Sequence, residues 1–497
     1  MPVRRALLAA AALLLPLAAA AATYHVAPGG DDGGTGSAAD PWRTLQRAAD
    51  TVGPGDTVIV AAGDYAGFDL RTSGTEAAPI RFLAGPGVAI VDPNPVTPDG
   101  INLEGASWVE VAGFTVVGMP REGIRAVTAH HVTIRGNRAF DNGERGILTG
   151  FVDDLLIEAN ETARSIDEHG IYVSNSGDRP TIRGNFTWGN NAAGIHMNGD
   201  VSLGGDGIIS GALVEGNVIV GNGAAGGSGI NGDGVQGSVF RNNLLLGNRA
   251  GGITLFQIDG GGPSTGNLVV NNTIVMADDG RWAIQLHHGA TGNTLRNNVA
   301  LSRHPFRGSL DVSDGSHVGL VSDHNALEDR VTTDGGDSVM TLAEWRASFG
   351  QDAHSFLATE AELFVDPTLP DALDPQAGDY HLEEGGPAVD AGTPAGAPPT
   401  DFEGDPRPVG EGVDVGADEA VPPCAAPATL TLSDDTVLGA ETHEACDEIA
   451  AGPSYVVAAG GALTLRTRGR VVLTGGFAVE AGGSLAVEID PVAGAGP

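Results

Sequence analysis

The 497-residue chain contains no lysine, so all 26 of its basic residues are arginine. Any mechanism that uses a lysine side chain as its base is thereby excluded. Acidic residues number 63 and give a formal net charge of -37, which repels nucleic acid and anionic lipid. A polyanionic substrate would need a local arginine cluster or a bridging divalent cation.

Aromatic residues and cysteines are also scarce. Aromatic residues make up 5% of the chain, whereas glycine occurs 76 times. The glycines follow no Gly-X-Y period, so the sequence is not collagen-like. This composition favours many short strands joined by tight turns. Cys424 and Cys446 are the only cysteines. An oxidising compartment would permit a disulfide between them, whereas a structural zinc site needs more ligands than this pair offers.

The N-terminus has the layout of a secretory signal peptide. In "MPVRRALLAAAALLLPLAAAAATYHV", Arg4 and Arg5 precede an apolar run and an Ala-x-Ala series. We expect residues 1–22 to be removed, with cleavage between Ala20 and Thr23. The alternative is a membrane anchor, which needs about 20 apolar residues. No later segment of the sequence could span a bilayer, so we expect an exported protein.

Two phrases recur in step along the middle of the chain. The first is an aliphatic strand, an asparagine and a second aliphatic pair, with asparagines at 137, 160, 185, 217, 243, 272 and 298. The second is a glycine-led strand, as in "GILTG" from Gly146 and "GIYVS" from Gly170. Two strands in each period of 23 to 32 residues predict a chain that winds in stacked coils.

These coils resemble the right-handed parallel β-helix of the pectate-lyase-like superfamily, specifically the carbohydrate-binding and sugar-hydrolysis repeats of secreted bacterial proteins. The resemblance covers roughly residues 24–419. It implies an all-β solenoid with an N-terminal helix, around residues 42–52, that caps the open end. It also implies a polysaccharide as the partner and an extracellular, cell-surface or periplasmic location in a bacterium.

The domain boundaries follow from changes in the repeat. We expect the cap and first coils at 23–108, β-helix repeats at 109–320 and an exit region at 321–420. The exit region carries a helix with Leu342, Trp345 and Phe349 on one face, and "DFEGDPRPVGEGVDVGADE" resembles an anchoring-associated segment, which leaves cell-surface association open. A linker at 421–430 then leads to a small β module at 431–497.

The recurrent asparagines are predicted to be scaffold. A side-chain amide at a coil corner can bond its own turn and the next coil, which forms a ladder. The predicted ladder residues are Asn137, Asn160, Asn185, Asn217 and Asn243.

The glycine-led strands are the candidate functional face. Alternation directs the isoleucine after each glycine inward and the next residue outward, so the outward residues form a column across the coils: Leu148, Tyr172, His196, Asn231, Thr254 and Gln285. The candidate catalytic residues on this face are Tyr172, His196, His169 and Arg145. The candidate substrate-binding residues are Asn198, Asn231, Asp233, Gln285, His287 and Trp282.

A face with histidine, tyrosine and arginine fits proton abstraction beside a carboxylate, as in β-elimination of a uronate-containing polysaccharide. Arginine or an amide would neutralise the carboxylate, while Tyr172 or His196 would exchange protons. The alternatives are non-catalytic glycan binding, a glycosidase with acids among Asp200, Asp233 and Asp259, and a uronate epimerase. The last rests on "SIDEHGIYVS", which resembles the Asp-x-His motif of alginate epimerases at Asp167 and His169, with Glu168 where those enzymes usually have proline.

Calcium is the one cofactor that the sequence leaves open. Asp200, Asp206 and Asp233 lie in or near the loop inserted after Met197, and flexible oxygen-rich loops suit this ion. Their spacing matches no strict calcium motif, so solvated loop acids are the alternative interpretation.

Overall fold

The computed structural model describes residues 21–421, 426–446, 448–467 and 470–489. Most of the predicted signal peptide lies outside these ranges, and so does Cys424. Signal cleavage and the Cys424–Cys446 disulfide therefore stay predictions. Within the described ranges, no helix is long and apolar enough to cross a membrane.

The chain winds as a parallel β-helix whose coils contribute strands to three long sheets. The 12-stranded first sheet comprises Thr23–Val26, Thr57–Val60, Ile80–Ala84, Val109–Ala112, Val132–Arg135, Leu156–Glu158, Thr181–Arg183, Leu213–Glu215, Val239–Arg241, Leu268–Val270, Thr294–Arg296 and Val321–Asp323. The 11-stranded second sheet comprises Phe68–Asp69, Ile101–Glu104, Ile124–His130, Ile147–Asp153, Ile171–Ser174, Ile195–Asn198, Ile230–Asp233, Ile253–Phe256, Ile284–Leu286, Leu310–Val312 and Val331–Thr332.

The 12-stranded third sheet comprises Gly63–Ala66, Val88–Asp92, Thr115–Val117, Arg138–Phe140, Glu161–Ala163, Phe186–Trp188, Val218–Val220, Leu244–Leu246, Thr273–Met276, Val299–Ser302, Ala326–Leu327 and Phe356–Leu357. Coil strands thus begin at Thr23 and continue past residue 320, beyond the predicted end of the repeats. The core lies between the sheets, where inward isoleucines such as Ile147, Ile171 and Ile195 are buried.

Both predicted helices are present at the ends of the β-helix. The N-terminal helix is shorter than predicted, at Leu45–Ala49, and buries Leu45, Ala48 and Ala49. The exit helix is Leu342–Phe349, where Thr341 and Glu344 form a capping box. Leu342 and Trp345 join the solenoid core, so this helix covers the exit end. The described ranges also contain the 3₁₀ turn Val201–Leu203 and the short helix Glu360–Leu363.

The rest of the exit region packs on the outer face of the third sheet. Outward apolar residues of that sheet, among them Val220, Leu246 and Leu301, form a second core with Phe364 and Tyr380. In the exit region, Phe364–Asp366 pairs with Asp379–Leu382. A second short pair joins Ile209–Ser210, at the end of the inserted loop, to Val235–Gln236, which follows the strand Ile230–Asp233. Burying this sheet face explains why outward positions of the third sheet are apolar.

The small C-terminal β module is itself a parallel coil. Its three-stranded sheets are Thr429–Leu432, Glu448–Ala451 and Arg470–Leu473; Thr436–Val437, Val456–Val457 and Ala478–Val479; and Ala440–Ala445, Ala462–Thr467 and Ser484–Ile489. It has its own apolar core around Val437, Ile449 and Leu463. The predicted second β module is confirmed, within the part of it that the structure describes.

The asparagine ladder is confirmed. Asn160 illustrates the pattern: its Oδ1 accepts from the backbone N–H of Asn137 at 2.9 Å and from Asn137 Nδ2 at 3.1 Å, and its Nδ2 donates to Ile134 O at 2.8 Å. The same bonds continue through Asn185, Asn217, Asn243, Asn272, Asn298 and Asn325. Further ladders that the sequence analysis missed join Asn190, Asn222 and Asn248, and Asn267 with Asn293.

Candidate functional site

The second sheet aligns the predicted column in register. Tyr172 pairs with Leu148 on one side and His196 on the other, and the alignment continues through Asn231, Thr254 and Gln285. Strands in a sheet are about 4.8 Å apart, so these side chains form one continuous row along the outer face. The isoleucine that precedes each of them is buried, as the alternation predicts.

Two histidines form a hydrogen-bonded pair in this row. His169 Nε2 and His196 Nδ1 are 3.0 Å apart, and the backbone N–H of Ala193 donates to His169 Nδ1 at 3.0 Å. Since a neutral imidazole carries one proton, His169 Nδ1 accepts and its Nε2 donates to His196. The remaining proton of His196 is therefore on Nε2. The backbone of the next coil thus fixes the tautomer of both rings.

Burial keeps both rings neutral. It lowers the pKa of His169 to about 2, an effect that His196 and Arg145 reinforce. It lowers the pKa of His196 to about 3, with Arg145 again adding to the effect. Neither imidazole is a cation near neutral pH. In the tautomer that the hydrogen bonds fix, His196 presents an N–H donor rather than a basic nitrogen.

Arg145 is surrounded by protein carboxylates. Its guanidinium pairs with Glu122 at 2.8 Å, with Glu144 at 2.9 Å and with Glu168, and it lies 4.8 Å from the centre of the Tyr172 ring. The sequence predicts that an arginine on this face neutralises a substrate carboxylate. Arg145 is already neutralised by its three carboxylate partners, so its place in the structure is that of a support beneath Tyr172.

Glu122 and Glu144 are members of this cluster that the sequence did not single out, and Glu122 is the more buried of the two. Burial raises the pKa of Glu122 to about 7 in spite of the pairing with Arg145. Glu122 stands immediately before Gly123, as Arg145 stands before Gly146 and His169 before Gly170. That shared position was a signal from which Glu122 could have been found.

Tyr172 and Asn198 connect the column to a covering loop. Asn198 Nδ2 donates to the Tyr172 hydroxyl at 3.0 Å and lies 3.5 Å from Asp259 Oδ2. Burial raises the pKa of Tyr172, so the phenol keeps its proton at neutral pH. Tyr172 is therefore suited to donate a proton, and Asp259 contributes a carboxylate beside the same Asn198 nitrogen.

Two loops enclose this end of the row. The insert at 199–208 and the loop at 257–263 bond each other through Val201 N–H to Asp259 O at 3.1 Å and Gly261 N–H to Gly207 O at 2.8 Å. Beneath them, His196 Nε2 and Asn198 Oδ1 are buried, with no hydrogen-bond partner among the described residues. An unpaired buried polar atom costs about 1–3 kcal/mol, which a ligand admitted between the loops would offset.

Asp233 has a structural position that the sequence analysis did not anticipate. It is 2% exposed, and its carboxylate accepts backbone N–H groups from Ile258, Asp259 and Gly260 at 2.8–3.0 Å. These donors occupy both carboxylate oxygens because the loop at 257–263 folds directly over them. Asp233 thereby anchors that loop, and we do not retain it among the candidate substrate-binding residues.

Asp200, Asp206 and Asp233, the candidate calcium ligands, are not arranged as a calcium site. The carboxylate of Asp233 is filled by backbone donors, and Asp200 and Asp206 each accept the N–H two residues further on. Within the described ranges, none of the three belongs to a group of potential metal ligands whose atoms converge.

A cleft of about 240 Å³ continues the row toward the exit end. Its polar lining includes Asn231, Thr254, Gln285, His287, Arg281 and His288. His287 Nε2 lies 3.2 Å from Asp311 Oδ2, while Arg281 has no ion-pair partner in the described part of the chain. Asn231, Gln285 and His287 thus lie where the sequence analysis placed them. The candidate taken from each coil was the residue directly before the leading glycine or alanine, which in this coil is Trp282. Arg281 lies one residue earlier and was therefore missed.

Trp282 does not face the cleft. It is 1% exposed, and its ring packs close to Gly336 of a later coil. Because this covering segment comes from residues far along the chain, the alternation of the strand alone could not reveal it. We therefore leave Trp282 out of the proposed sugar-binding surface.

Comparison with known proteins agrees with this architecture. Residues 24–274 match the model of the Pel9A-like right-handed β-helix region. The crystal structure of pectate lyase Pel9A is similar with a TM-score of 0.51 and 17% identity, over 80% of this chain and 96% of that one. No curated protein matches.

Two further solved structures are more distant. A rhamnogalacturonan lyase has a TM-score of 0.46 and 17% identity, over 69% of this chain and 90% of that one. An alginate lyase from Paenibacillus sp. str. FPU-7 has a TM-score of 0.37 and 20% identity, over 54% of this chain and 94% of that one. The family model covers half of the sequence, and its fold is the one observed. The chain belongs to the Pel9A-like right-handed β-helix family.

Proposed function

We propose that the protein is an exported polysaccharide-active enzyme that cleaves a uronate-containing glycan by β-elimination. The observation that carries this proposal is the row of Tyr172, His196 and Asn198 beside Asp259, continuous with a cleft that holds the unpaired Arg281. Family membership and the likeness to pectate lyase Pel9A support a polysaccharide substrate. The signal-peptide pattern supports action outside the cytoplasm.

Substrate binding is assigned to the cleft. Arg281 can pair with a uronate carboxylate in a planar, two-bond geometry, and His287 and His288 add donors beside it. Asn231 and Thr254 line the same cleft and lie in register between His196 and Gln285. A glycan lying along the coils would therefore contact Arg281 through one sugar and the Tyr172 region through another.

The reaction needs a proton acceptor and a proton donor beside one sugar. In β-elimination, a base takes the proton next to the carboxylate, a carbon–carbon double bond forms, and the glycosidic C–O bond breaks as its oxygen is protonated. Tyr172 is the donor, because burial keeps its phenol protonated. Asp259 is the acceptor: its Oδ2 lies 3.5 Å from Asn198 Nδ2 and it has no cation partner in the described part of the protein, whereas Glu122, Glu144 and Glu168 are bound to Arg145.

His196 and His169 have a supporting role in this scheme. His196 Nε2–H is a fixed donor for a substrate carboxylate or hydroxyl once the two loops admit a ligand. His169 holds His196 in that tautomer through their 3.0 Å contact. Neutral donors of this kind stabilise developing negative charge without a change of protonation state.

The experiment is a substrate panel of pectate, alginate and glycosaminoglycans, each with and without calcium. New ultraviolet absorbance from unsaturated uronates would support elimination. New reducing ends without that absorbance would show hydrolysis and overturn the elimination step. A change of uronate configuration without chain cleavage would show epimerisation and overturn it equally.

A second candidate function is non-catalytic glycan binding. The observation in its favour is that His196 Nε2 and Asn198 Oδ1 are enclosed, while the cleft around Arg281 stays open to solvent. In that case the panel would give binding without products, and Arg281→Ala would abolish binding. Tyr172→Phe would then leave binding unchanged.

A further inference from the structure

Three potential metal ligands meet at the exit end of the solenoid, outside the candidate site. Asp323 ends the last strand of the first sheet, His324 follows it, and His354 comes from the loop after the exit helix. One ligand atom from each lies within 4.8 Å of the others. We propose that Asp323, His324 and His354 bind a divalent transition-metal ion, with Zn²⁺ as the reference ion.

The spacing of these atoms suits a metal ion. Asp323 Oδ2 lies 2.7 Å from His354 Nδ1 and 3.4 Å from His324 Nδ1. Two ligands of a tetrahedral zinc ion, each about 2.0–2.2 Å from the metal, are about 3.4 Å apart. The two imidazoles stack with centroids 4.8 Å apart and planes at 24°. Small side-chain rotations therefore suffice to place all three atoms around one ion.

His324 supplies an independent indication. Its Nδ1 is buried and makes no hydrogen bond in the described part of the chain, although it lies 3.4 Å from Asp323 Oδ2. Asp323 is held in place from the other side, because the backbone N–H of His354 donates to its Oδ1 at 2.7 Å. A buried nitrogen without a hydrogen bond beside a fixed carboxylate is what a site prepared for a cation would show.

The position of His324 also departs from the repeat. It precedes the ladder residue Asn325 with a φ of 57°. The same left-handed corner position in earlier coils holds Gly136, Ala159, Gly184, Gly216, Asn242, Asn271 and Asn297. Only this coil places an imidazole there, among the coils whose corner asparagine belongs to the main ladder.

The ligand set selects the class of metal. Two imidazoles and one carboxylate suit Zn²⁺, Ni²⁺, Co²⁺ or Cu²⁺, whereas Ca²⁺ takes oxygen ligands. The ion would tie the loop after the exit helix to the last coil, where Asp352 N–H already donates to Ser322 O at 2.7 Å and Asn325 N–H to Ser355 Oγ at 2.8 Å. Its expected effect is therefore to stabilise the exit end.

A second cluster, His381 with Glu403 and Asp418, is a suitable control. Both ring nitrogens of His381 are taken, by Asp379 at 2.5 Å and by Glu403 at 2.8 Å. These hydrogen bonds, first of all the one to Glu403, raise the pKa of His381 to about 10. Both ring nitrogens of His381 are thus hydrogen-bonded, whereas the proposed site keeps His324 Nδ1 without a hydrogen bond among the described residues, so the His381 cluster is assigned as an ion-pair network.

The test uses the full chain without a polyhistidine tag, stripped with a chelator and titrated with Zn²⁺ by calorimetry. Wild type and His381→Ala should each bind one equivalent at this site and melt at a higher temperature with Zn²⁺. His354→Ala should fold, since its side chain is 68% exposed. It should weaken binding by more than the roughly 10- to 100-fold that loss of an outer-shell partner causes.

Substitution with Co²⁺ gives a second measurement. A visible absorption band with the intensity of a nitrogen- and oxygen-ligated ion should appear in wild type and be lost in Asp323→Asn and His354→Ala. The assignment is overturned if wild type binds no Zn²⁺. It is also overturned if His354→Ala binds as tightly as wild type, or if His381→Ala alone loses the ion.

Discussion

The corner between the first and third sheets and the outer row of the second sheet are built from the same coils, yet they differ in one respect. The corner repeats asparagine from Asn137 to Asn325, and each amide bonds the next coil. The row changes at every step, from Leu148 to Tyr172, His196 and Asn231. Where every coil has the same requirement, the residue repeats; where residues differ from coil to coil, the coils contribute different chemistry.

The largest expected effect of a single substitution is on the variable row. Tyr172→Phe removes the hydroxyl assigned as proton donor, and loss of a general acid typically costs about 10²–10⁴ in rate. Its ring contact with Arg145 is kept, so the melting temperature should change little. Activity on the glycan that the substrate panel identifies gives the measurement. Tyr380→Phe, whose hydroxyl has only a 3.4 Å contact with Pro367 O, is the matched control.

The corner should respond in the opposite way. Asn185→Ala removes bonds to Ile157 O at 3.0 Å and Asn217 Oδ1 at 2.9 Å and leaves the Asn160 amide without its acceptor. We expect the free energy of unfolding to fall by about 1–3 kcal/mol, with kcat per folded molecule unchanged. Asn191→Ala, which loses only a 3.4 Å exposed contact to Asp167 O, should change stability by less than about 0.5 kcal/mol. If a denaturant titration shows that Asn185→Ala and Asn191→Ala lose equal stability, the corner asparagine has no special role in the scaffold.

Much of this comparison could be predicted from the sequence. The period fixed the register, so the column from Leu148 to Gln285 and the asparagine ladder are both as predicted. The exit helix followed from the spacing of Leu342 and Trp345. These features depend on residues within a coil or on the same residue one period away.

The features that could not be predicted depend on how loops and side chains pack against neighbouring coils. Asp233 anchors the loop at 257–263, and a segment near Gly336 covers Trp282. The bonds to Asp233 span one coil, 25 to 27 residues, but they join a side chain to the backbone of a loop, which strand alternation does not specify. Arg145 loses its expected role because side chains from the preceding and following coils converge on it, which strand alternation alone does not specify.

The His169–His196 pair should make the stability of the variable row depend on pH. His169 and His196 have folded-state pKa values of about 2 and about 3, below the unfolded value of about 6.5. The two neutral rings thus contribute to the free energy of unfolding above pH ~6.5. This contribution is lost as the pH falls toward the folded-state pKa values, with a slope of at most about 1.4 kcal/mol per pH unit for each ring. Glu122, with its pKa raised to about 7, acts in the opposite direction.

The variant His196→Asn isolates the contribution of His196 to this pH dependence. Asparagine should be tolerated there, because Asn231 already occupies the aligned position in the next coil. Unfolding followed between pH 6 and pH 4 should show a shallower loss of stability in the variant than in wild type. Arg145, Glu122 and Glu168 face the pair in both proteins and cancel in the difference. Identical slopes would show that the rings titrate normally and are open to solvent.

The smallest expected effect concerns Ala159, at the left-handed position before the corner asparagine. Ala159 precedes the ladder residue Asn160 with a φ of 53°, whereas the neighbouring coils place Gly136 and Gly184 there. A left-handed conformation costs an L-residue about 1–2 kcal/mol, so Ala159→Gly should raise the free energy of unfolding by about 1 kcal/mol. The reverse change, Gly184→Ala, should lower it by a similar amount, because an added Cβ would meet no atom within 4 Å and only the backbone term remains. Denaturant titrations of both variants give the measurement. If Ala159→Gly is neutral or destabilising while Gly184→Ala is costly, Ala159 is kept at the corner by something other than the repeat.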